Sequence, residues 1–221
     1  MTQALVLGAT GFIGSHVTRA CLQAGLSVRA LRRPDSSFLA LQGVENEVEF
    51  VTGDLAVGES LQAAMKGCEV VFHVAGYYPD RPVGIERLYR AALQQMRNVL
   101  EAACASGVAR LIYTSSFATI RPPARAGDLA TEADSTPGGT ARHPYWNLKR
   151  VQEKMALRYQ RERGLPVVIL NPTAVFGPGD AKPVMGQVLL ALLRLRCLAY
   201  VDLRTNVVDV RDVAAAHLAA L

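Results

Sequence analysis

The chain has 221 residues, half of them hydrophobic, enough to bury one sizeable core and form one domain. Its net charge of +5 comes from 20 Arg and 4 Lys spread along the chain, so no basic block marks a nucleic-acid surface. Cys21, Cys68, Cys104 and Cys197 stand far apart, with no C-x-x-C pair and no His at ligand spacing, which excludes a disulfide framework and a metal site and makes a reducing cytoplasm the expected compartment.

The N-terminus is apolar but lacks a basic n-region, so Gln3 to Leu7 reads as a strand rather than a signal peptide. The longest apolar stretch near the C-terminus is cut by Arg194 and Arg196, well short of the ~20 residues of a membrane span. Short apolar runs at Ala4 to Leu7, Val28 to Leu31, Val48 to Val51, Val70 to Val74, Leu111 to Thr114 and Val167 to Leu170 predict six buried strands of one parallel sheet. Helical patterns fall between them. The first runs from Phe12 to Ala24, and a long one carries Ile85, Leu88, Ala92, Met96, Val99 and Ala103 on one face and ends at Gly107. This alternation predicts a doubly wound α/β sheet of the Rossmann type, one domain over 1–221. Arg121 to Pro144 breaks the pattern and reads as a functional loop or a tolerated surface insertion. Beyond Leu170 come a loop from Asn171 to Asp180, a helical pattern through Leu193, strands near Leu198 to Val201 and Asn206 to Val208, and a last helix from Val210.

Gly8, Gly11 and Gly14 lie at the junction of the first strand and first helix. Without side chains there, the backbone turns tightly and comes close to a pyrophosphate, while the helix N-terminus favours the anion. The stretch Gly8 to Gly14, with Thr10, Phe12 and Ile13 between the glycines, is therefore the expected seat of a nicotinamide dinucleotide. Arg32 and Arg33 follow the second strand, where a carboxylate would hold the ribose 2′-hydroxyl of NAD. They suit the 2′-phosphate of NADP, or form a solvated basic turn. Asp54 and Leu55 end the third strand, and Ala75 and Gly76 the fourth, at the carboxyl edge where such sheets hold ligands; Asp54 equally suits an N-cap.

Tyr145 and Lys149 are four residues apart on a helical pattern and share a face. An ammonium about 4 Å from a phenol, at an effective dielectric near 20, contributes about 4 kcal/mol, enough to bring the phenol toward neutrality. Tyr145 then passes a proton to or from a carbonyl or alcohol oxygen as hydride moves.

With Gly53-Asp54-Leu55, Phe72-His73-Val74-Ala75, Tyr113-Thr114-Ser115-Ser116, Tyr145 with Lys149, Asn171-Pro172-Thr173 and the closing Asn206 to Ala214, the sequence resembles an extended short-chain dehydrogenase/reductase. It looks most like the dihydroflavonol-reductase-like branch that includes hopanoid-associated sugar epimerases. The resemblance implies that Lys149 also holds the nicotinamide ribose, that Ser116, or failing it Ser115, orients the substrate oxygen, and that Asn171, Pro172 and Thr173 line the site. It implies a small-molecule carbonyl or alcohol substrate and a homodimer, while Arg32 and Arg33 favour NADP over NAD. Gly177, Pro178 and Gly179 suit an ordinary turn equally.

Two features depart from the pattern. Ala92 replaces an Asn that family members use to organise the lysine, and relatives continue beyond Leu221, so residues after about 172 are expected to form an incomplete substrate region of a fragment or a shortened member. The expected function is an NADP-dependent reductase or epimerase. A cofactor-binding sensor or scaffold is the alternative, and nucleic-acid binding ranks third because Arg158, Arg161 and Arg163, interleaved with Glu153 and Glu162, read as a solvated helix face. His16, His73, His143 and His217 read as structural or surface residues, His217 the least informative.

Overall fold

The computed structural model describes residues 2–76, 84–123, 125, 127–134, 144–180, 186, 193–194 and 205–221. Six strands form one parallel sheet: β1 (Gln3–Leu7), β2 (Ser27–Arg32), β3 (Val48–Thr52), β4 (Val70–His73), β5 (Arg110–Thr114) and β6 (Val167–Leu170). Their order is β3-β2-β1-β4-β5-β6, so the chain reverses direction across the sheet between β1 and β4. Ligands of such sheets sit outside the carboxyl ends of the strands at that reversal.

The strands read as unbroken apolar runs because both faces are covered. In β1, Leu5 and Leu7 join the core beneath α2 (Gly58–Met65), α3 (Ile85–Ser106) and α4 (Pro144–Arg163). Ala4 and Val6 join the core on the other face, beneath α1 (Phe12–Gln23) and α5 (Val210–Ala219). The apolar face expected for the long helix is present from Ala92 on, with Ala92, Met96, Val99 and Ala103 buried, but Leu88 is only partly buried and Ile85, in the first turn, is exposed. Gly107 ends that helix in the left-handed conformation, φ 63°, which glycine adopts at little steric cost.

The expected loop from Asn171 to Asp180 contains a strand, β7 (Ala174–Phe176), paired in parallel with β8 (Val207–Asp209). Three residues are too few for alternation to stand out, and the pairing partner lies some thirty residues away, so the local pattern is silent here. The helical pattern through Leu193, the strand near Leu198 to Val201, His143 and most of the end of the Arg121 to Pro144 loop lie outside the described residues. Among the described residues, no helix is long and apolar enough to cross a membrane, and no group of His, Cys, Asp or Glu has the makings of a metal site.

The turn between β1 and α1 is packed to its limit. A Cβ on Gly14 would lie 2.0 Å from the Gly8 carbonyl oxygen, and one on Gly8 would lie 2.8 Å from the Ala75 nitrogen. Gly8 also has φ 93°, so an L side chain would be strained there as well as crowded. Gly14→Ala should therefore destabilise the protein by about 3 kcal/mol, because backbone, unlike a flexible side chain, has nowhere to yield. Gly58→Ala, where an added Cβ meets nothing within 4 Å, should change stability by no more than about 1 kcal/mol. Urea unfolding of both variants checks the contrast.

Candidate active site

Helix geometry leaves the first-turn N–H groups of α1 without acceptors. The N-cap, Gly11, supplies no side chain to satisfy them, and the first turn carries no acidic residue. Gly11 is pinned by its N–H to the Gly8 carbonyl at 2.9 Å, and the Ala75 N–H donates to the Leu7 carbonyl at 2.9 Å. The result is an anion cradle with its donors free, next to the end of β4, with Thr10, Phe12 and Ile13 only partly buried at its rim. A Cβ at either Gly8 or Gly14 would abolish it, so the residues present fit a pyrophosphate.

At the adenosine end, Arg32 closes β2, half-buried, and Arg33 follows in solvent. Asp54 opens the turn after β3: its carboxylate accepts the Ala56 N–H at 2.8 Å and its carbonyl accepts the Val57 N–H at 2.9 Å, while Val57, not Asp54, is the N-cap of α2. The Leu55 carbonyl accepts the Asn98 amide of α3 at 2.8 Å, which fixes the end of β3 to that helix.

The other half of the site gathers where β5, β6 and α4 meet. Tyr145 lies in the first turn of α4, half-buried, and Lys149, one turn on, is buried. The Lys149 ammonium donates to the Thr114 carbonyl at 3.1 Å and lies 5.3 Å from the Tyr113 ring centroid. Burial pushes it down to about 8, while the charge of Glu153 pulls the other way. The two serines differ. Ser115 donates its hydroxyl proton to Glu153 at 2.7 Å, whereas Ser116 Oγ accepts the Ala118 N–H at 3.2 Å and keeps its own proton to give. Pro172 is half-buried and accepts the Phe117 N–H at 3.1 Å, so the β6 end and the Ser116 turn are tied together.

Glu153 and Gln152 were not singled out as site residues from sequence. Glu153, read as part of a solvated helix face, instead accepts Ser115 and the Asn171 amide, the latter at 3.0 Å. Asn171 also donates to the Ser116 carbonyl at 3.2 Å and to Thr119 Oγ1 at 2.9 Å. Where the family Asn is missing, Gln152 donates its amide to the Ala92 carbonyl at 3.3 Å and accepts the Tyr113 hydroxyl at 3.3 Å. Gln152 and Glu153 stand three and four residues after Lys149, so the helical repeat that grouped Tyr145 with Lys149 also held this signal.

His217, judged least informative, is fully buried and anchors the site from behind. Its Nδ1–H donates to the Val213 carbonyl at 2.7 Å, so Nε2 accepts the Thr114 hydroxyl, also at 2.7 Å. Burial lowers its proton affinity, so it stays neutral in that role. His73 is buried with its ring stacked on Tyr113, centroids 5.3 Å apart; burial, aided by the Lys149 charge, pushes it down to about 3. His16 donates to the Pro178 carbonyl at 2.9 Å, drawing the Gly177 to Gly179 turn against α1.

A model of the NAD-dependent epimerase/dehydratase family matches residues 4–221, and the chain belongs to that family, within the extended short-chain dehydrogenases/reductases. It is 39% identical over 216 residues to a Synechocystis protein provisionally named dihydroflavonol 4-reductase, covering 97% of this chain and 62% of that protein. It is 32% identical to cinnamoyl-CoA reductase 1 of Petunia hybrida, covering 96% of this chain and 67% of the relative. Among solved structures, the Thermus thermophilus UDP-glucose 4-epimerase in complex with NAD matches with a TM-score of 0.81 at 26% identity, over 100% of this chain and 74% of that one. The chain thus spans about two thirds of the length of these relatives.

Holding Lys149 at about 8, against about 10.4 for a free lysine, has a stability cost. Between those two pH values the unfolded chain binds more protons than the folded one, so stability rises with pH across that window. Below it the buried charge costs about 3 kcal/mol. Lys149→Met should therefore stabilise the protein by about 2 kcal/mol at pH 7, after allowing for the partner lost to Thr114, and the gain should vanish near pH 10.5. Urea unfolding at both pH values reads it.

Proposed function

We infer that this chain acts as an NADP-dependent reductase on the ketone or aldehyde of a small molecule, using Ser116, Tyr145 and Lys149. The observation that carries this reading is the arrangement of a buried, cationic Lys149 one helical turn from Tyr145, beside a Ser116 that keeps a proton to donate, on the same sheet edge as the glycine cradle. A bound nicotinamide would supply the hydride.

The Ser116 hydroxyl hydrogen-bonds to the substrate oxygen and orients it, keeping its own proton. Tyr145 gives up its phenolic proton to that oxygen as the carbon gains hydride, leaving an alcohol and a phenolate. The Lys149 cation steadies the phenolate, and the Thr114 carbonyl keeps the ammonium in place. The cradle from Gly8 to Gly14, with Ala75, Leu55 and Asp54 on the neighbouring strand ends, holds the dinucleotide, Arg32 and Arg33 meet its 2′-phosphate, and Pro172 flanks the nicotinamide end. The higher identities to proteins named as reductases support reduction over epimerisation.

Ala92 favours a second reading, a cofactor-binding sensor without turnover, since the Asn that helps organise the lysine in the family is absent. NADPH oxidation against a panel of ketones and aldehydes separates the two. Tyr145→Phe should cut kcat for any accepted carbonyl by about 10²- to 10⁴-fold and leave the NADPH dissociation constant unchanged. Full turnover in that variant would refute the assignment. NADPH should bind more tightly than NADH in a fluorescence titration.

A further inference from the structure

Arg32 and Arg33 are neighbours in the chain but are held in different ways. Arg33 extends into solvent with the Asp35 carboxylate 3.9 Å from its Nε, so part of its charge is offset locally. Arg32 gives its backbone carbonyl to the Gly53 N–H at 3.0 Å, and its Nη1 donates to the Pro34 carbonyl at 3.2 Å. Its guanidinium carbon lies 4.6 Å from the centroid of the Phe38 ring. Phe38 stands edge-on to Phe50 of β3, centroids 4.8 Å apart and planes at 85°, yet it is 39% exposed. Its position is therefore a ring braced against the sheet with Arg32 resting on it, rather than a side chain sunk into the core.

We propose that Phe38 is a specificity-determining residue for the cofactor, because its ring holds the Arg32 guanidinium ready, at the carboxyl end of β2, for a phosphate on the ribose 2′ position. The proposal rests on the NADP reading above. A long side chain loses rotamer freedom when it captures an anion, and one already laid on a ring and tied to a carbonyl has less to lose. Binding of a cofactor with a 2′-phosphate benefits from this ordering, whereas one with a free 2′-hydroxyl has no anion for Arg32 to meet. The Phe38–Phe50 brace thus sharpens discrimination between the two without itself contacting the phosphate.

Fluorescence titrations with NADPH and NADH test this, with a thermal melt of each variant to establish that it is folded. Phe38→Leu keeps an apolar side chain against Phe50 and removes the ring. It should weaken NADPH binding about two- to fivefold and leave NADH binding unchanged. Phe38→Tyr should bind both as the parent does. In an Arg32→Ala background, Phe38→Leu should add no further loss. Equal losses for the two cofactors, or NADPH binding that is weakened by Arg32→Ala but untouched by Phe38→Leu, would overturn the role of Phe38. If neither Arg32→Ala nor Arg33→Ala weakens NADPH, it is instead the 2′-phosphate reading beneath the proposal that fails.

Discussion

Everything at the carboxyl edge of this sheet depends on how closely α1 approaches the end of β1. With no atom between the Gly14 α-carbon and the Gly8 carbonyl, and none between Gly8 and Ala75, the helix starts where the strand stops and β4 lies directly alongside. That approach aims uncapped N–H groups into the gap at which the sheet order reverses. A methyl group on Gly14 would push the helix away from the strand end, and one on Gly8 would press against Ala75. The cradle is therefore a product of packing as much as of hydrogen bonding, and binding and folding make the same demand on these residues.

The β5 and β6 side of the same sheet edge is built by a different principle, polar groups that satisfy one another out of water. Lys149, Thr114 and His217 form a chain from α4 through β5 to α5, in which one threonine offers its carbonyl to the ammonium and its hydroxyl to the imidazole. Glu153 and Asn171 connect α4 to the ends of β5 and β6. Placing a charge in such surroundings costs stability, which is the usual balance at a site where a perturbed lysine has work to do. The network also accounts for the departure at position 92. Gln152 reaches the Ala92 carbonyl from the neighbouring helix, so α3 and α4 stay tied beside Lys149 although the usual Asn side chain is missing.

The two sides of the candidate site were unequally legible. Glycine spacing, apolar runs of four or five residues and a three- and four-residue repeat report on local backbone needs, and the six strands and the long helix lie where those signals put them. Glu153 was misread because interleaved charges on a helix look alike whether they face water or a serine just past the end of a strand. Asp54 could be narrowed to ligand or cap, and only the fold showed that its carboxylate is engaged by the Ala56 N–H. The short strand β7 is a case of the same kind, since its partner β8 lies some thirty residues on, whereas β8 itself falls where a strand was expected at Asn206 to Val208.

What the sequence by itself determined is the glycine turn, the parallel α/β order and the placing of Tyr145 and Lys149 one turn apart on one helix, because each follows from the local pattern of residues along the chain, governed by backbone geometry. What only the tertiary structure decided is which serine keeps its proton, that His217 supports Thr114 from 103 residues away, and that Arg32 rather than Arg33 rests on an aromatic ring. Those are contacts between elements brought together by burial of the sheet's two faces. No spacing rule along the chain encodes them.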